Sequence, residues 1–192
     1  MATVADQRKT ALAARRRLTA VQRQRASIAA CRYLGRLPEM RRARHIGLYW
    51  PLPSEIDPSV VQHMLGRRDR RFYYPRVSHD QLRFVPVARN GRWTRSNLGV
   101  QEPAGWSHPV NALDVLIMPL AGFDAGAHRI GLGGGFYDRT LAPVRDRGYR
   151  SPTRIGLAFE CQRLPAIETR PWDIELASVV TERGVYRASR ST

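Results

Sequence analysis

The run LDVLIMPL, residues 113–120, sets the tightest limit on what this chain can fold into. Side chains along a strand alternate between the two faces of a sheet, so a strand apolar at consecutive positions must be covered on both faces. Such a strand belongs at the centre of a sheet with helices above and below it. Shorter apolar runs repeat the signal: HIGLYW at 45–50, RFYYP at 71–75, LRFVPV at 82–87, RIGLAF at 154–159 and ASVVT at 177–181. Proline stops the first two. Helical signals lie between the runs. Residues 5–17 read as a helix, and the capping box TAVQ (Thr19 to Gln22) opens a second that runs to about Gly35. Asp57 as N-cap with Pro58 behind it starts a third, whose apolar face is Val60, Val61, Met64 and Leu65. Another is expected from about Phe136 to Arg147, whereas Asn90 to Pro109 carries little signal of either kind. This alternation specifies an α/β sandwich around a mostly parallel sheet. No repeat, low-complexity tract or linker divides the 192 residues, so a single domain, 1–192, is expected.

Composition narrows the class. Hydrophobic residues make up 43% of the chain, which excludes disorder as its general description. No apolar run approaches the roughly 20 residues of a membrane span, and the N-terminal residues lack the apolar core of a secretory signal. Cys31 and Cys161 form neither a CxxC pair nor a disulfide framework, and a cytoplasmic location is expected. The net charge is +16, and Lys9 is the only lysine. Residues 1–44 hold eleven arginines and Lys9 against Asp6 and Glu39, a surplus of +10. This basic helical region, about 5–36, is either the arm of an arginine-rich RNA-binding module or the solvated surface of helices. No run of stacking aromatics interleaves the arginines and no nucleic-acid motif is present, so the solvated surface is preferred and nucleic acid is not an expected partner.

The segment RIGLGGGFYDR, Arg129 to Arg139, concentrates four glycines with two arginines, two aromatics and an aspartate. In open α/β sheets ligands bind beyond the carboxyl ends of the strands, where loops enter helices. Glycines there let backbone N–H groups converge on an anion at a helix N-terminus, and Arg129 and Arg139 supply charged forks suited to phosphate. Neither common glycine motif is met: Phe136 stands at the third glycine of the dinucleotide fingerprint, and a P-loop needs a lysine that is absent. A tight turn with small residues for packing is the plainer alternative. His45, His63, His79, His108 and His128 show no zinc-ligand spacing, and there is no G-x-S-x-G elbow. Glu55, just past a strand end, and Asp173 in RPWDIEL are the other candidate polar groups. For each the plain alternative is a surface loop or turn.

Taken in order, these segments resemble the 5-formyltetrahydrofolate cyclo-ligase (5,10-methenyltetrahydrofolate synthetase) family. RIGLGGGFYDR is similar to the family's R-L-G-x-G-x-G-[YF]-Y-D-R segment, and DVLIMPLAGFD to the strand before it. YWPLPSEID, YYPRV, LGVQEP and GLAFECQ…LPAIETRPWDIELASVVTE follow the family's order along nearly the whole chain. The resemblance implies a three-layer α/β/α sandwich and a folate-metabolism ligase of one-carbon chemistry. It implies that 5-formyltetrahydrofolate is closed to 5,10-methenyltetrahydrofolate with ATP and Mg2+, releasing ADP and phosphate.

Residue by residue, the resemblance puts ATP on Arg8 and on Arg129, Ile130, Gly131, Leu132, Gly133, Gly134, Gly135, Phe136 and Tyr137. It puts the folate on Trp50 and Glu55, with Leu132 to Phe136 shared, and the metal on Asp138 and Asp173. Tryptophan offers a flat face to the pteridine, and a glutamate accepts hydrogen bonds from ring N–H groups. The chain departs from the family at Val4, where a lysine is usual, with Lys9 the neighbouring cation available in its place. Phe136 keeps the aromatic face of the commoner tyrosine without its hydroxyl. A monomer is expected, on a substrate that natural folates would present with a polyglutamyl tail. A sugar-phosphate isomerase-like α/β enzyme would share the anion-binding loop without needing ATP.

Overall fold

The computed structural model describes residues 3–188, apart from 67, 68, 88–90, 96–98, 147, 149, 150 and 171. The chain opens with helices α1 (Val4–Arg16), α2 (Ala20–Arg36) and α3 (Pro38–Arg42), enters strand β1 (His45–Gly47), and passes through α4 (Ser59–Leu65). The hairpin β2 (Arg71–Ser78) and β3 (Gln81–Pro86) follows, then the short strands β4 (Trp93–Arg95) and β5 (Gln101–Pro103). After β6 (Val115–Pro119) come β7 (Gly122–Phe123), β8 (Arg129–Ile130), α5 (Phe136–Asp146), β9 (Thr153–Leu157), β10 (Ser178–Thr181) and β11 (Gly184–Arg187).

The main sheet has the order β11-β10-β9-β6-β1-β2-β3. β2, β1, β6, β9 and β10 run parallel, while β3 and β11 close the edges antiparallel. The strand built from LDVLIMPL lies at the middle, as its two apolar faces require. Val115 and Ile117 enter one core, where α2, α3 and α4 cover the sheet through residues such as Leu34, Met40 and Val61. Leu116 and Met118 enter the other, covered by Leu141 and Val144 of α5. The period-two alternation along β6 thus gives the three-layer α/β/α arrangement directly.

Two capping boxes start the basic helices. Thr19 and Gln22 cap α2 reciprocally as expected, and Thr3 with Asp6 does the same for α1. Other boundaries differ from expectation for identifiable reasons. Pro75 does not stop its strand, because β2 continues to Ser78 opposite β3. The N–H of Val77, two residues on and in the same orientation, is taken by Glu102 Oε1 rather than by β3, so a proline at Pro75 leaves no β2–β3 ladder bond unmade. Pro58, not Asp57, is the N-cap of α4, although Asp57 Oδ1 still accepts from the Ser59 N–H at 2.8 Å. Met64 is 48% exposed rather than part of the packed face, because the short α4 turns Val60, Val61 and Leu65 inward. The expected end of the last helix at Arg147 and the start of the polar stretch at Asn90 lie outside the described residues. No described helix is long and apolar enough to cross a membrane.

Candidate active site

A cavity of about 480 Å³ opens at the carboxyl ends of β1 and β6. The chain proceeds from β1 outward to β2 on one side and later returns with β6 on the other, so this is the point where strand order reverses and the strand ends splay. Tyr49, Trp50, Leu52 and Glu55 reach it from the loop that leaves β1, and Pro119 from the end of β6. Pro75, Val77 and Leu82 give an apolar side, α1 lends Val4 and Arg8, and Glu168, Arg170 and Asp173 come from the segment before β10. The whole run from Arg129 to Asp138 lines it too.

The glycine run leaves β8 and turns into α5, whose first helical bond is Arg139 N–H to Gly135 O at 3.0 Å. Gly133 and Gly135 adopt φ of +107° and +65°, which an L side chain resists. Around Gly133 a Cβ would meet open space, so the backbone there is bare to the cavity. Arg8 Nε donates to Gly131 O at 2.9 Å, pinning α1 to the loop. Arg139 does not line the cavity. It grips the loop from outside, donating to Gly134 O and Asp80 O at 2.8 Å and lying over the Phe136 ring. Of the two flanking arginines, only Arg129 is inside the cavity.

Glu55 is buried, not a surface-loop carboxylate. Its Oε2 accepts from the Leu52 N–H at 2.9 Å, and its Oε1 from Arg15 Nη1 at 3.4 Å. Burial pushes its carboxyl above the ordinary range, while the Leu52 N–H and Arg15 pull it back. Desolvation pushes the neighbouring phenols of Tyr49 and Tyr137 up, and the Glu55 charge adds to it. Trp50 is 39% exposed and is backed by Trp93 and Tyr74, with ring centroids 5.0 and 6.3 Å away. These tilted ring contacts hold the indole, which also lines the cavity.

Asp138 is the third residue of α5 and takes a hydrogen bond from the buried guanidinium of Arg129. It is not the residue that caps the helix, since Gly135 occupies that place. Asp173 Oδ2 accepts from the Arg170 N–H at 2.8 Å. Each carboxylate thus has one oxygen anchored by the protein, and both line the one cavity. No group of three or more His, Cys, Asp or Glu residues among those described is arranged to hold a metal alone. A hard cation held by one or two carboxylates plus phosphate oxygens and water suits such a donor set, so these two residues fit Mg2+.

Lys9, the cation available in place of the absent lysine, is exposed and does not line the cavity, whereas Val4 does. Arg15, Arg170 and Glu168 belong to the site or its support and were not foreseen. Arg15 lies 40 residues from Glu55 in sequence, and no local pattern signals such a pairing.

Fold and site together define an α/β enzyme, with its glycine loop, carboxylates and arginines gathered at the strand ends. The model of the 5-formyltetrahydrofolate cyclo-ligase family matches residues 2–182. A 5-formyltetrahydrofolate cyclo-ligase of Haemophilus influenzae is 31% identical over 173 residues, covering 86% of this chain and 90% of that protein. The Escherichia coli K12 protein of the same name is also 31% identical, over 90% of this chain and 96% of its own. The solved structure of Aquifex aeolicus 5,10-methenyltetrahydrofolate synthetase superposes with a TM-score of 0.83 at 26% identity, covering 98% of this chain and 95% of that one. The chain belongs to the 5-formyltetrahydrofolate cyclo-ligase family.

Proposed function

We propose that the chain, acting as a single cyclo-ligase domain, converts 5-formyltetrahydrofolate to 5,10-methenyltetrahydrofolate with ATP and Mg2+, releasing ADP and phosphate. A formamide oxygen is a poor leaving group. Attack of that oxygen on the γ-phosphorus releases ADP and leaves an iminium phosphate at N5. N10 then adds to the formyl carbon and loses its proton, and phosphate departs with the C–O bond pair. Phosphoryl transfer asks a protein chiefly for positioning and charge stabilisation. Nothing in the sequence demands a nucleophilic side chain.

Arg129 to Tyr137 and Arg8 would hold the nucleotide, the bare backbone at Gly133 letting phosphate approach the main chain. Trp50 would lie against the pteridine and Glu55 would accept from its ring N–H groups, with Leu132 to Phe136 between the two ligands. Asp138 and Asp173 would hold Mg2+, which neutralises phosphate charge when bound. The observation that carries this reading is convergence: residues expected to bind ATP, folate and metal, drawn from four separate segments, line one cavity. Incubation of the protein with 5-formyltetrahydrofolate, ATP and Mg2+ should produce methenyl-folate absorbance, with ADP formed in equal amount. Folded protein that yields neither product would overturn the reading, and ring closure without ATP would overturn its phosphoryl-transfer half.

A further inference from the structure

Arg15 is the most deeply placed cation of the basic N-terminal helices. Its side chain is 6% exposed and that of Glu55 4%, and the two meet at 3.4 Å. Arg15 Nε is buried without a hydrogen-bond partner, while Nη1 donates to Glu55. Arg15 faces a second, outer cleft, while Glu55 faces the substrate cavity. The pair therefore forms part of the wall between them, with the cation behind the carboxylate. Hydrophobic residues often fill the space of so desolvated a pair at no loss of stability, so stability alone does not account for it.

We propose that Arg15 is a positioning residue for the substrate: its guanidinium keeps the Glu55 carboxylate ionised and fixed in orientation, so that it accepts from N–H groups of the bound folate. This rests on the folate reading of Glu55 given above. The other titratable groups that face Glu55 are the phenols of Tyr49 and Tyr137, held neutral by burial, and the Leu52 N–H is an uncharged donor. Among the described residues, Arg15 is thus the cation that acts on Glu55. Without it, the Leu52 N–H alone would oppose burial, and the carboxyl would take up its proton at higher pH. A protonated carboxyl offers a donor where the ring presents donors. Substrate binding would then weaken as pH falls, and recover as pH rises and the carboxylate re-forms.

The test is titration of wild type, Arg15→Gln and Arg15→Lys with 5-formyltetrahydrofolate, without ATP, between about pH 6 and about pH 8.5. Dividing each variant's dissociation constant by that of wild type at the same pH cancels titration of the ligand itself. For Arg15→Gln this ratio is expected to be about tenfold larger at the acid end than at the alkaline end. Arg15→Lys, with its charge kept but its reach shortened, should fall between. Adding Glu55→Gln to Arg15→Gln removes the titrating group, and the ratio should become independent of pH. A structural role alone would lower affinity or melting temperature without this pH signature. A flat ratio for folded Arg15→Gln overturns the proposal; if that variant does not fold, a flat ratio for the neutral and similarly long Arg15→Met does so. Wild type that binds no folate at any pH overturns the functional reading instead, so the two failures are distinguishable.

Discussion

At the scale of single residues, the site depends on charge placement and on backbone approach, and the two can be tested apart. On the proposed folate reading, Glu55→Gln puts an amide where an acceptor would face ring N–H groups, at a cost of about 1–3 kcal/mol. Folate affinity should drop by one to two orders of magnitude while nucleotide affinity is unchanged, as separate titrations will show. In the glycine loop the sensitive position is Gly135 rather than Gly134. Its φ of +65° and a Cβ only 2.5 Å from Arg139 Nη1 exclude a branched side chain, while Gly134 lies outside the left-handed region. Gly135→Val should cost at least tenfold in turnover, with circular dichroism near that of wild type because the residue lies outside the cores. Full activity in that variant would mean that no ligand uses this backbone. For Asp138, engagement with Arg129 leaves a metal role or an ion-pair role to be told apart. Asp138→Asn distinguishes these: loss of a metal ligand should raise the Mg2+ concentration for half-maximal rate, whereas loss of the ion pair alone should leave that concentration unmoved.

At the scale of elements, the parts legible in the sequence were those whose apolar pattern is local. Every strand of the main sheet except β11 overlaps one of the short apolar stretches of the sequence, and the central place of β6 followed from its two apolar faces. The hairpins β4–β5 and β7–β8 were not legible, because two- and three-residue strands hold too few side chains to show a period. The β7–β8 hairpin nevertheless positions the site. Buried Asp124 accepts from the N–H groups of Gly126 and His128 at 3.0 Å and from the His128 ring at 2.9 Å. Its second oxygen also accepts from the Ile167 N–H at 3.0 Å, tying the hairpin to the segment that carries Arg170 and Asp173. Asp124→Ala strands these donors, and buried unsatisfied groups cost about 1–3 kcal/mol each. A melting temperature lowered by several degrees, together with a higher Mg2+ requirement, is the expected outcome. A variant that melts lower but keeps its Mg2+ titration would show that the tether serves stability only.

At the scale of the whole molecule, the unresolved question in the sequence was the purpose of so much arginine, and the fold answers part of it. The surplus of +10 in residues 1–44 sits on helices that border the site, since α1 lends Arg8 to the cavity and Arg15 to its wall. A second, open cleft of about 540 Å³ lies alongside, lined by Arg15, Arg16 and Arg23 and sharing Leu52 and Leu132 with the first. Sequence could place these arginines on helices but not beside the loop after β1, because that adjacency is made by the crossover of the chain. A substrate whose glutamyl end carries carboxylates would find complementary charge in the outer cleft. Exposed pairs are worth up to about 1 kcal/mol each and are screened by salt, so the effect should be modest and ionic-strength dependent. Replacing Arg16 and Arg23 together by serine should lower kcat/KM for a polyglutamylated substrate by about fivefold, with a smaller loss for the monoglutamate. Added salt should shrink the wild-type preference for the longer tail toward that of the variant. ATP saturation should be unaffected, because neither arginine lines the cavity of the glycine loop. A tail-length preference that is the same in variant and wild type at low salt would return these arginines to the role of a solvated helix surface.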